Sequence, residues 1–372
     1  MGNIPLPFGI PSEFIKTPHT LDKKKLHAIL QCFSIGEGNY DFHSINQGYI
    51  NDTYLVLAND RPYYILQRIN HLVFKDVEGL MGNIKMALEL LSDKDYERID
   101  LVKTIQGNSY CKNREGEYWR LMSYIDQSLA YNITTDSNIA YEAGRILGKF
   151  HQLLQNAPVN DFAETIPRFH DLVLRKEQLE NALARATPDK LIIAEGAIAF
   201  AKATFPKLRE LQQAQLPVRV CHNDTKLNNI LFSKKSHKSL CFIDLDTLMK
   251  GYFYYDFGDA VRTVANTALE DERDLGKIMF DKNLFEKFIS GLHQSGLSLT
   301  AQELYLLPLG VVFMPFIHGL RALTDYLNNN IYYKVSYETQ NLDRCLSLFD
   351  FAEKSLAELP YMKSVINVSY GE

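Results

Sequence analysis

Apolar and polar residues alternate differently along successive parts of the chain. Residues 1–20 contain four prolines and little periodicity, and a short amphipathic helical pattern follows over residues 21–33. Period-two runs then predict a hairpin, with strands over Thr53–Leu57 and Tyr63–Ile69 joined at Asn59 and Asp60. Further strands are predicted over residues 101–106, 109–113 and 118–125.

Helical periodicity replaces these β-rich runs from Ser137 onward. Over residues 139–154 the apolar positions form one helical face, and Gly144 and Gly148 predict close packing on another helix. A helix is also predicted to begin within residues 267–275, others are predicted over 285–292, 300–316 and 317–327, and Thr300 and Glu303 match a capping box. We therefore divide the chain into a lead-in segment, 1–34, a β-rich lobe, 35–130, and a mainly helical lobe, 131–372, in an α+β fold.

Side chains suited to phosphoryl transfer are concentrated between Val220 and Asp259. A loop with the spacing H-x-D-x-K-x-x-N is formed by His222, Asp224, Lys226 and Asn229. A strand over Leu240–Ile243 then delivers Asp244. In phosphoryl transfer an Asp orients the attacking hydroxyl, a Lys offsets charge on the moving group, and an Asn and a second Asp hold Mg²⁺ against the nucleotide phosphates. The pattern predicts an enzyme that uses ATP and Mg²⁺.

This stretch resembles the catalytic loop and metal strand of the aminoglycoside phosphotransferase and choline kinase superfamily. The segments HNDTKLNNIL, IDLDT, YDFGDAVR, TALEDERDL and GLRALTDYLNNNIYY are similar to those of the N-acetylhexosamine 1-kinases, and the resemblance covers about residues 35–344. It implies a two-lobed protein-kinase-like fold and transfer of the γ-phosphoryl group to the anomeric hydroxyl of an N-acetylhexosamine (GlcNAc or GalNAc). The alternatives are a kinase for another small alcohol, such as choline, an aminoglycoside, homoserine or another sugar, and a nucleotide-binding pseudokinase.

Catalytic roles within the loop follow from the resemblance and from the spacing. Asp224 is expected to accept a hydrogen bond and later the proton from the sugar hydroxyl, and thus also to contact the substrate. Lys226 is expected beside the γ-phosphate. His222 is expected to support the loop from behind, and Asp256 is expected to anchor it.

Metal binding is predicted at three oxygen-bearing side chains. Asn229 would supply an amide oxygen and Asp244 a carboxylate, which are the ligand types that Mg²⁺ prefers. Asp246 follows Asp244 by two positions and is either a further metal ligand or a group behind the ligands. The sequence leaves both roles of Asp246 open.

Nucleotide binding is predicted in the β-rich lobe. Gly48 and Asn51 lie in the turn over residues 47–51, which would cover the phosphates. Met122 and Tyr124 lie near the lobe boundary, where free backbone groups flanked by apolar side chains are suited to the adenine edge.

The strand that carries a phosphate-binding lysine in kinases has no lysine here. It offers Arg68, whose guanidinium can hold phosphate oxygens with two N–H groups, and we predict that Arg68 binds ATP. Glu78 or Glu89 on the following helix would be its ion-pair partner, and the sequence does not choose between them.

Sugar binding is implied by the resemblance at Arg321 and Tyr332. The His that reaches the sugar in the related kinases is replaced by Tyr49, which we also expect to face the substrate. An acidic residue common in that family near Pro315–His318 is absent. Both departures concern the choice of sugar more than the phosphoryl transfer.

Composition limits the remaining possibilities. The net charge is −5, which provides no basic field for nucleic acid or for an anionic membrane. Neither a secretory signal nor an uninterrupted apolar run long enough for a membrane helix is present, so no membrane contact is expected. The five cysteines are scattered and indicate reduced thiols, which predicts a cytoplasmic protein. The expected partner is a small-molecule sugar, and the oligomeric state stays open.

Overall fold

The computed structural model describes residues 22–45, 50–333 and 335–371. Contacts divide the chain into two compact units. The first contains the described residues up to Ala130 with Asn156–Ile166 and Leu231–Lys250. The second contains Tyr131–Gln155, Pro167–Ile230 and the described residues from Gly251 onward. The segment 231–250 lies in the first unit, where the strand at residues 230–233 pairs with a strand at residues 128–129, whereas the sequence division placed it with the helical lobe.

An antiparallel sheet organises the first unit. Its strands are β1 (Tyr40–Ile45), β2 (Asp52–Ala58), β3 (Arg61–Ile69), β4 (Leu101–Val102), β5 (Cys111–Lys112) and β6 (Tyr118–Ser123). The order is β1-β2-β3-β6-β4, with β5 also paired to β6. The predicted hairpin is confirmed as β2 and β3, and its turn residues Asn59 and Asp60 have φ of 49° and 64°. Asn and Asp tolerate this left-handed conformation, which matches the twist of the flanking strands.

One face of this sheet packs against helix α1 (Lys23–Leu30). The α1 residues Leu26 and Leu30 form one buried cluster with Leu66 of β3 and with Trp119 of β6. Side chains alternate along a strand, so residues next to these two point to the opposite face. Arg120 therefore lies on the face away from α1.

The first unit also contains a helix and a smaller sheet. Helix α2 spans Val77–Leu90. Its N-cap is Asp76, whose carboxylate accepts a hydrogen bond from the Gly79 N–H. The three-stranded sheet has the order β10-β9-β7, with β7 at Ser128–Leu129, β9 at Ile230–Ser233 and β10 at Ser239–Phe242.

The second unit is mainly helical, as predicted. Its helices are α3 (Ser137–Leu153), α4 (Leu172–Leu183), α5 (Pro188–Ile193), α6 (Glu195–Thr204), α7 (Arg209–Gln213), α8 (Phe253–Val264), α9 (Lys282–Gln294), α10 (Ala301–Leu327), α11 (Gln340–Ala357) and α12 (Leu359–Tyr370). Two short strands complete the assignment, β8 (Arg219–Cys221) and β11 (Met249–Gly251).

Glycines let α3 and α9 approach each other closely. A Cβ on Gly144 would lie 1.9 Å from the carbonyl oxygen of Phe288, and a Cβ on Gly291 would lie 1.9 Å from that of Tyr141. The close packing predicted at Gly144 is thus confirmed, and α9 supplies a glycine of its own to the contact.

Helix α10 is one continuous helix, so the prediction of two successive helices is wrong. It contains Pro308 and Pro315, and the predicted capping box of Thr300 and Glu303 is confirmed at its start. By length and apolar composition α10 is the one candidate membrane span found in the described residues, and 94% of its most apolar window is buried inside the protein. Burial of that kind is typical of the central helix of a folded domain.

The acidic segment over residues 267–275 does not begin an α-helix, and only a short 3-10 helix, Leu275–Lys277, starts at its end. Its Glu270 accepts a 2.8 Å ion pair from Arg262 of α8 and another from Arg344 of α11. These contacts to distant residues hold the segment in turns, whereas the sequence predicted a solvated helix start.

Candidate active site

The backbone of the H-x-D-x-K-x-x-N loop is anchored by Asp256 of α8. The Asp256 carboxylate is fully buried and accepts hydrogen bonds from the N–H groups of His222, at 2.8 Å, and Asn223, at 2.7 Å. The side chain of His151 lies 2.9 Å from the same carboxylate, and the hydroxyl of Thr225 donates to the Asp256 carbonyl at 2.6 Å. Asp256 thus holds the loop at His222, Asn223 and Thr225, which is the anchoring role predicted for it.

Two residues that precede Asp224 set its direction. His222 is fully buried, and its Nδ1 accepts a 3.3 Å hydrogen bond from the Asp224 N–H. Asn223 has a φ of 63°, a left-handed conformation that asparagine tolerates better than most residues. His222 therefore supports the loop from its buried side, as the sequence predicted.

Lys226 and Asn229 both contact one oxygen of the Asp224 carboxylate. Asp224 Oδ2 lies 2.9 Å from the Lys226 ammonium and accepts a 2.8 Å hydrogen bond from the Asn229 amide nitrogen. The amide of Asn229 also donates to the Asp224 carbonyl at 2.8 Å. Within the described residues, Oδ1 of Asp224 and Oδ1 of Asn229 have no hydrogen-bond partner. The first is therefore available to a hydroxyl, and the second to a cation.

Asp244 has a left-handed backbone in the first unit. It follows β10 with φ of 61° and ψ of 54°, a region in which aspartate is found more often than most non-glycine residues. Residues in this region recur at functional sites. The conformation is consistent with the metal-ligand role predicted for Asp244.

Asp246 is buried and has both carboxylate oxygens engaged. Oδ1 forms an ion pair with Arg120 of β6, and Oδ2 accepts a 2.5 Å hydrogen bond from the Asn51 side chain. Of the two roles left open for Asp246, this arrangement corresponds to a group behind the ligands. Arg120 was not predicted as a site residue, although a charged residue between Trp119 and Leu121 in a β-rich run is a recognisable signal.

Arg68 lies on the sheet face opposite to that of Arg120, and its binding of phosphate stays a prediction. It shares a sheet face with Leu66, and therefore with α1. Its guanidinium is bound by Asp52 and by Glu117, the latter at 2.7 Å. The partner expected on α2, Glu78 or Glu89, is not the one observed.

Glu117 is strongly held in its charged form by this surface cluster. Burial opposes that form, but hydrogen bonds from Lys25 and Arg68 outweigh it and lower the pKa of Glu117 to about 2. The positive charge of Arg68 is thus compensated by carboxylates of its own sheet face.

The other predicted nucleotide contacts have different outcomes. Gly48 and Tyr49 lie outside the described residues. Met122 lies within β6, opposite Ile65 of β3. The N–H of Tyr124 donates to the Tyr63 carbonyl at 3.0 Å and is not available to an adenine ring. A role of Met122 or Tyr124 in adenine binding stays a prediction.

In the second unit, Arg321 and Arg175 meet at Phe169. The Arg321 guanidinium lies 4.8 Å from the centre of the Phe169 ring, and Arg175 donates to the Phe169 carbonyl at 2.8 Å. Among the described residues no carboxylate lies within ion-pair distance of either arginine. Burial, together with the positive charge of Arg321, lowers the pKa of Arg175 to about 10.

This arginine pair is connected to the catalytic loop. His170 follows Phe169, and its Nε2 lies 3.3 Å from the carbonyl of Asn223, the residue before Asp224. Arg321 and Asp224 are thus joined through one short chain of contacts within the second unit.

Tyr332 is presented by a turn that Asp325 holds. The Asp325 carboxylate is buried and accepts hydrogen bonds from the N–H groups of Tyr332, at 2.8 Å, and Tyr333, at 2.9 Å. The Tyr332 side chain is exposed, and the ring of Tyr333 lies 6.0 Å from the Arg321 guanidinium. The structure therefore brings this turn to the arginine pair, and the Tyr332 ring, which packs edge-on against the Tyr333 ring at 4.8 Å between centroids, keeps its outer part exposed.

Comparison with known proteins concerns the family and the fold. The profile of the phosphotransferase enzyme family matches residues 41–279. A microcompartment-associated aminopropanol kinase is 17% identical and superposes with a TM-score of 0.61, over 92% of this chain and 98% of that one. A spectinomycin phosphotransferase in complex with ADP and spectinomycin is 11% identical, with a TM-score of 0.63, over 91% and 99%. An amicoumacin kinase in complex with AMP-PNP, Ca²⁺ and Ami is 13% identical, with a TM-score of 0.57, over 94% of each chain. At these identities the three structures show the fold, and they confirm the predicted kinase-like α+β class.

Proposed function

The chain belongs to the phosphotransferase enzyme family, and on that premise we propose that it transfers the γ-phosphoryl group of ATP to the anomeric hydroxyl of an N-acetylhexosamine. The observation that carries the proposal is the convergence of Lys226 and Asn229 on the Asp224 carboxylate, above a backbone anchored by Asp256. A carboxylate oriented in this way is what transfer to a hydroxyl requires.

Each residue of the loop has a defined task in the transfer. The substrate hydroxyl donates a hydrogen bond to Asp224 Oδ1, and its oxygen attacks the γ-phosphorus while the bond from that phosphorus to the β-bridging oxygen breaks. The proton passes to Asp224, and ADP leaves with the bridging oxygen. Lys226 offsets negative charge on the moving group. The transition state is loose, so much of the contribution of Asp224 is orientation.

We propose Asn229 and Asp244 as the ligands of a divalent cation, Mg²⁺ in the cell. The donor set fits, because one amide oxygen and one carboxylate are hard oxygen ligands and Asn229 Oδ1 has no other partner among the described residues. A bound divalent cation would neutralise charge on the nucleotide phosphates.

The arginine pair at Phe169 supports a sugar acceptor over a cationic one. Choline or an aminoglycoside would bring positive charge to Arg175 and Arg321, which no carboxylate among the described residues neutralises within ion-pair distance. An N-acetyl sugar offers hydroxyl and acyl oxygens that accept hydrogen bonds from guanidinium groups, and the exposed ring of Tyr332 can pack on its apolar face. The anomeric hydroxyl is also more acidic than an ordinary alcohol, so that a weak carboxylate base suffices.

Release of ADP in the presence of Mg·ATP tests this function. The acceptor panel contains GlcNAc, GalNAc, glucose, galactose, choline, homoserine and an aminoglycoside. We expect turnover with an N-acetylhexosamine, and Asp224→Asn should abolish it while nucleotide binding is retained. Faster turnover with choline or an aminoglycoside than with any sugar would contradict the assignment of the acceptor.

Arg321→Met tests the acceptor site separately. Loss of one hydrogen bond to a charged group should raise the acceptor KM at least about tenfold and leave the ATP KM unchanged. Arg209→Met, at an exposed position on α7, is the matched control. Equal changes in both KM values for Arg321→Met would show that this arginine does not bind the acceptor.

A further inference from the structure

Only one cation on the described strands of the large sheet is buried on the face away from α1. The strands contain four arginines or lysines, which are Arg61, Arg68, Lys112 and Arg120. Arg61 and Lys112 are exposed, and Arg68 lies on the α1 face. Arg120 is 1% exposed. A charge removed from water so completely has to be paired and hydrogen-bonded, and its partners indicate its task.

Arg120 is held by the neighbouring strand through Gln67. The Gln67 side-chain oxygen accepts hydrogen bonds from Nε of Arg120, at 3.0 Å, and from Nη2, at 2.7 Å. The Gln67 amide nitrogen donates to the hydroxyl of Thr53 on β2 at 2.9 Å. The guanidinium therefore has one fixed orientation, with Nη1 directed at Asp246.

Asp246 in turn connects two turns of the first unit. One turn follows β10 and contains Asp244, and the other precedes β2 and contains Asn51. Asn51 donates to Asp246 with its amide nitrogen and accepts a 3.0 Å hydrogen bond from the Asn70 N–H with its oxygen. The Arg120–Asp246 ion pair thus lies where Asn51 meets the turn that contains Asp244.

We propose that Arg120 is a positioning residue: by engaging Asp246 it leaves Asp244 as the one carboxylate of its turn that binds the divalent cation, and it holds the Asn51 turn against the Asp244 turn. The proposal rests on the proposed function. A buried ion pair adds little net stability compared with apolar residues of similar volume, so its retention in a packed sheet needs another reason, which positioning supplies.

The test separates metal binding from turnover. Binding of Mn²⁺ in the presence of ADP is followed by electron paramagnetic resonance, which needs no acceptor and no catalysis. Asp244→Asn should weaken Mn²⁺ binding at least tenfold, because it replaces a charged carboxylate ligand with a neutral amide. Asp246→Asn should weaken Mn²⁺ binding by a clearly smaller factor than Asp244→Asn, because Asp246 is engaged by Arg120 and affects the metal only through the position of the Asp244 turn. A loss of Mn²⁺ binding in Asp246→Asn as large as that in Asp244→Asn would overturn the proposal.

A double variant separates positioning from mere structure. Arg120→Met alone leaves a buried carboxylate unpaired and is expected to lower stability to urea, whereas Arg120→Met with Asp246→Leu replaces both charges and should recover it. If the pair positions the two turns, the double variant is as stable as the wild type but its kcat/KM for ATP stays at least tenfold lower. Wild-type kcat/KM in a stable double variant would show that the pair is structural only.

A matched control and a conservative variant complete the design. Arg61→Met, at the exposed end of β3, should change neither Mn²⁺ binding nor kcat/KM. Arg120→Lys keeps the charge but loses the fork that binds Gln67 and Asp246 together, so it should recover only part of kcat/KM. If wild-type protein binds Mn·ADP but phosphorylates no sugar, the acceptor assignment fails while the role of Arg120 is still tested.

Discussion

Replacement of Asp256 by Asn tests how the catalytic loop is held. The Asp256 carboxylate accepts two backbone N–H groups with one oxygen each, and His151 shares one of those oxygens. An asparagine keeps one acceptor oxygen and turns an NH₂ group toward a backbone N–H, either that of His222 or that of Asn223. At least one buried donor is then unsatisfied.

The magnitude follows from the bonds lost. A hydrogen bond to a charged group contributes about 1.5–3 kcal/mol, and a buried unsatisfied donor costs about 1–3 kcal/mol. We therefore expect Asp256→Asn to lower the free energy of unfolding by about 2–4 kcal/mol. The Asp224 carboxylate lies directly after the released backbone, and a displacement of about 1 Å can reduce the rate of a positioned reaction about a hundredfold. The KM for ATP should change much less.

The assay combines urea denaturation with steady-state kinetics at saturating Mg·ATP. Asp271→Asn, an exposed change of the same kind in the same unit, is the control and should leave both quantities unaltered. A stable Asp256→Asn protein with wild-type kcat would refute the reasoning, because it would show that the loop holds its geometry without this carboxylate.

Two further predictions concern packing and pH. Gly291→Ala places a Cβ 1.9 Å from the Tyr141 carbonyl oxygen and should lower the free energy of unfolding by about 1–3 kcal/mol; Gly82→Ala, which meets nothing within 4 Å in α2, should be neutral or stabilising in the same urea titration. Burial, with the charge of Arg262, lowers the pKa of His318 to about 4, below its ordinary value of 6.5. As the pH falls, His318 is therefore protonated in the unfolded chain at a higher pH than in the folded protein. The melting temperature should drop between about pH 6.5 and pH 4, and it should drop by less in His318→Gln. An equal drop in both proteins would contradict this prediction.

The parts of the fold that were predicted correctly depend on short-range patterns. Asn59 and Asp60 define their turn within the hairpin itself, and the Thr300 capping box is complete within four residues, Thr300–Glu303. Gly144 predicts a close helix contact because a residue without a side chain lets another helix approach, whichever helix that is. Signals of this kind are contained in the segment that they describe.

The errors depend on partners that are distant in the sequence. Arg120 and Asp246 are 126 positions apart, and no local pattern shows that they pair. Arg68 was predicted to face the nucleotide, because the sequence did not show which sheet face α1 covers. The acidic segment at Glu270 was predicted as a helix start because its ion pairs to Arg262 and Arg344 form only in the folded chain.

The catalytic loop was predictable for a different reason. Its four side chains lie within eight residues, His222–Asn229, so their spacing alone indicates phosphoryl transfer. The anchor at Asp256 was assigned from the resemblance, and the structure supplies its physical basis in two backbone hydrogen bonds.

The central claim is tested most directly by nuclear magnetic resonance of the product formed from Mg·ATP and an N-acetylhexosamine. The account predicts a sugar phosphate in which the phosphorus couples to the anomeric proton, and no such product with Asp224→Asn. Coupling to the C6 protons would contradict phosphorylation at the anomeric hydroxyl. The absence of any sugar phosphate, with ATP still bound, would contradict the proposed acceptor altogether.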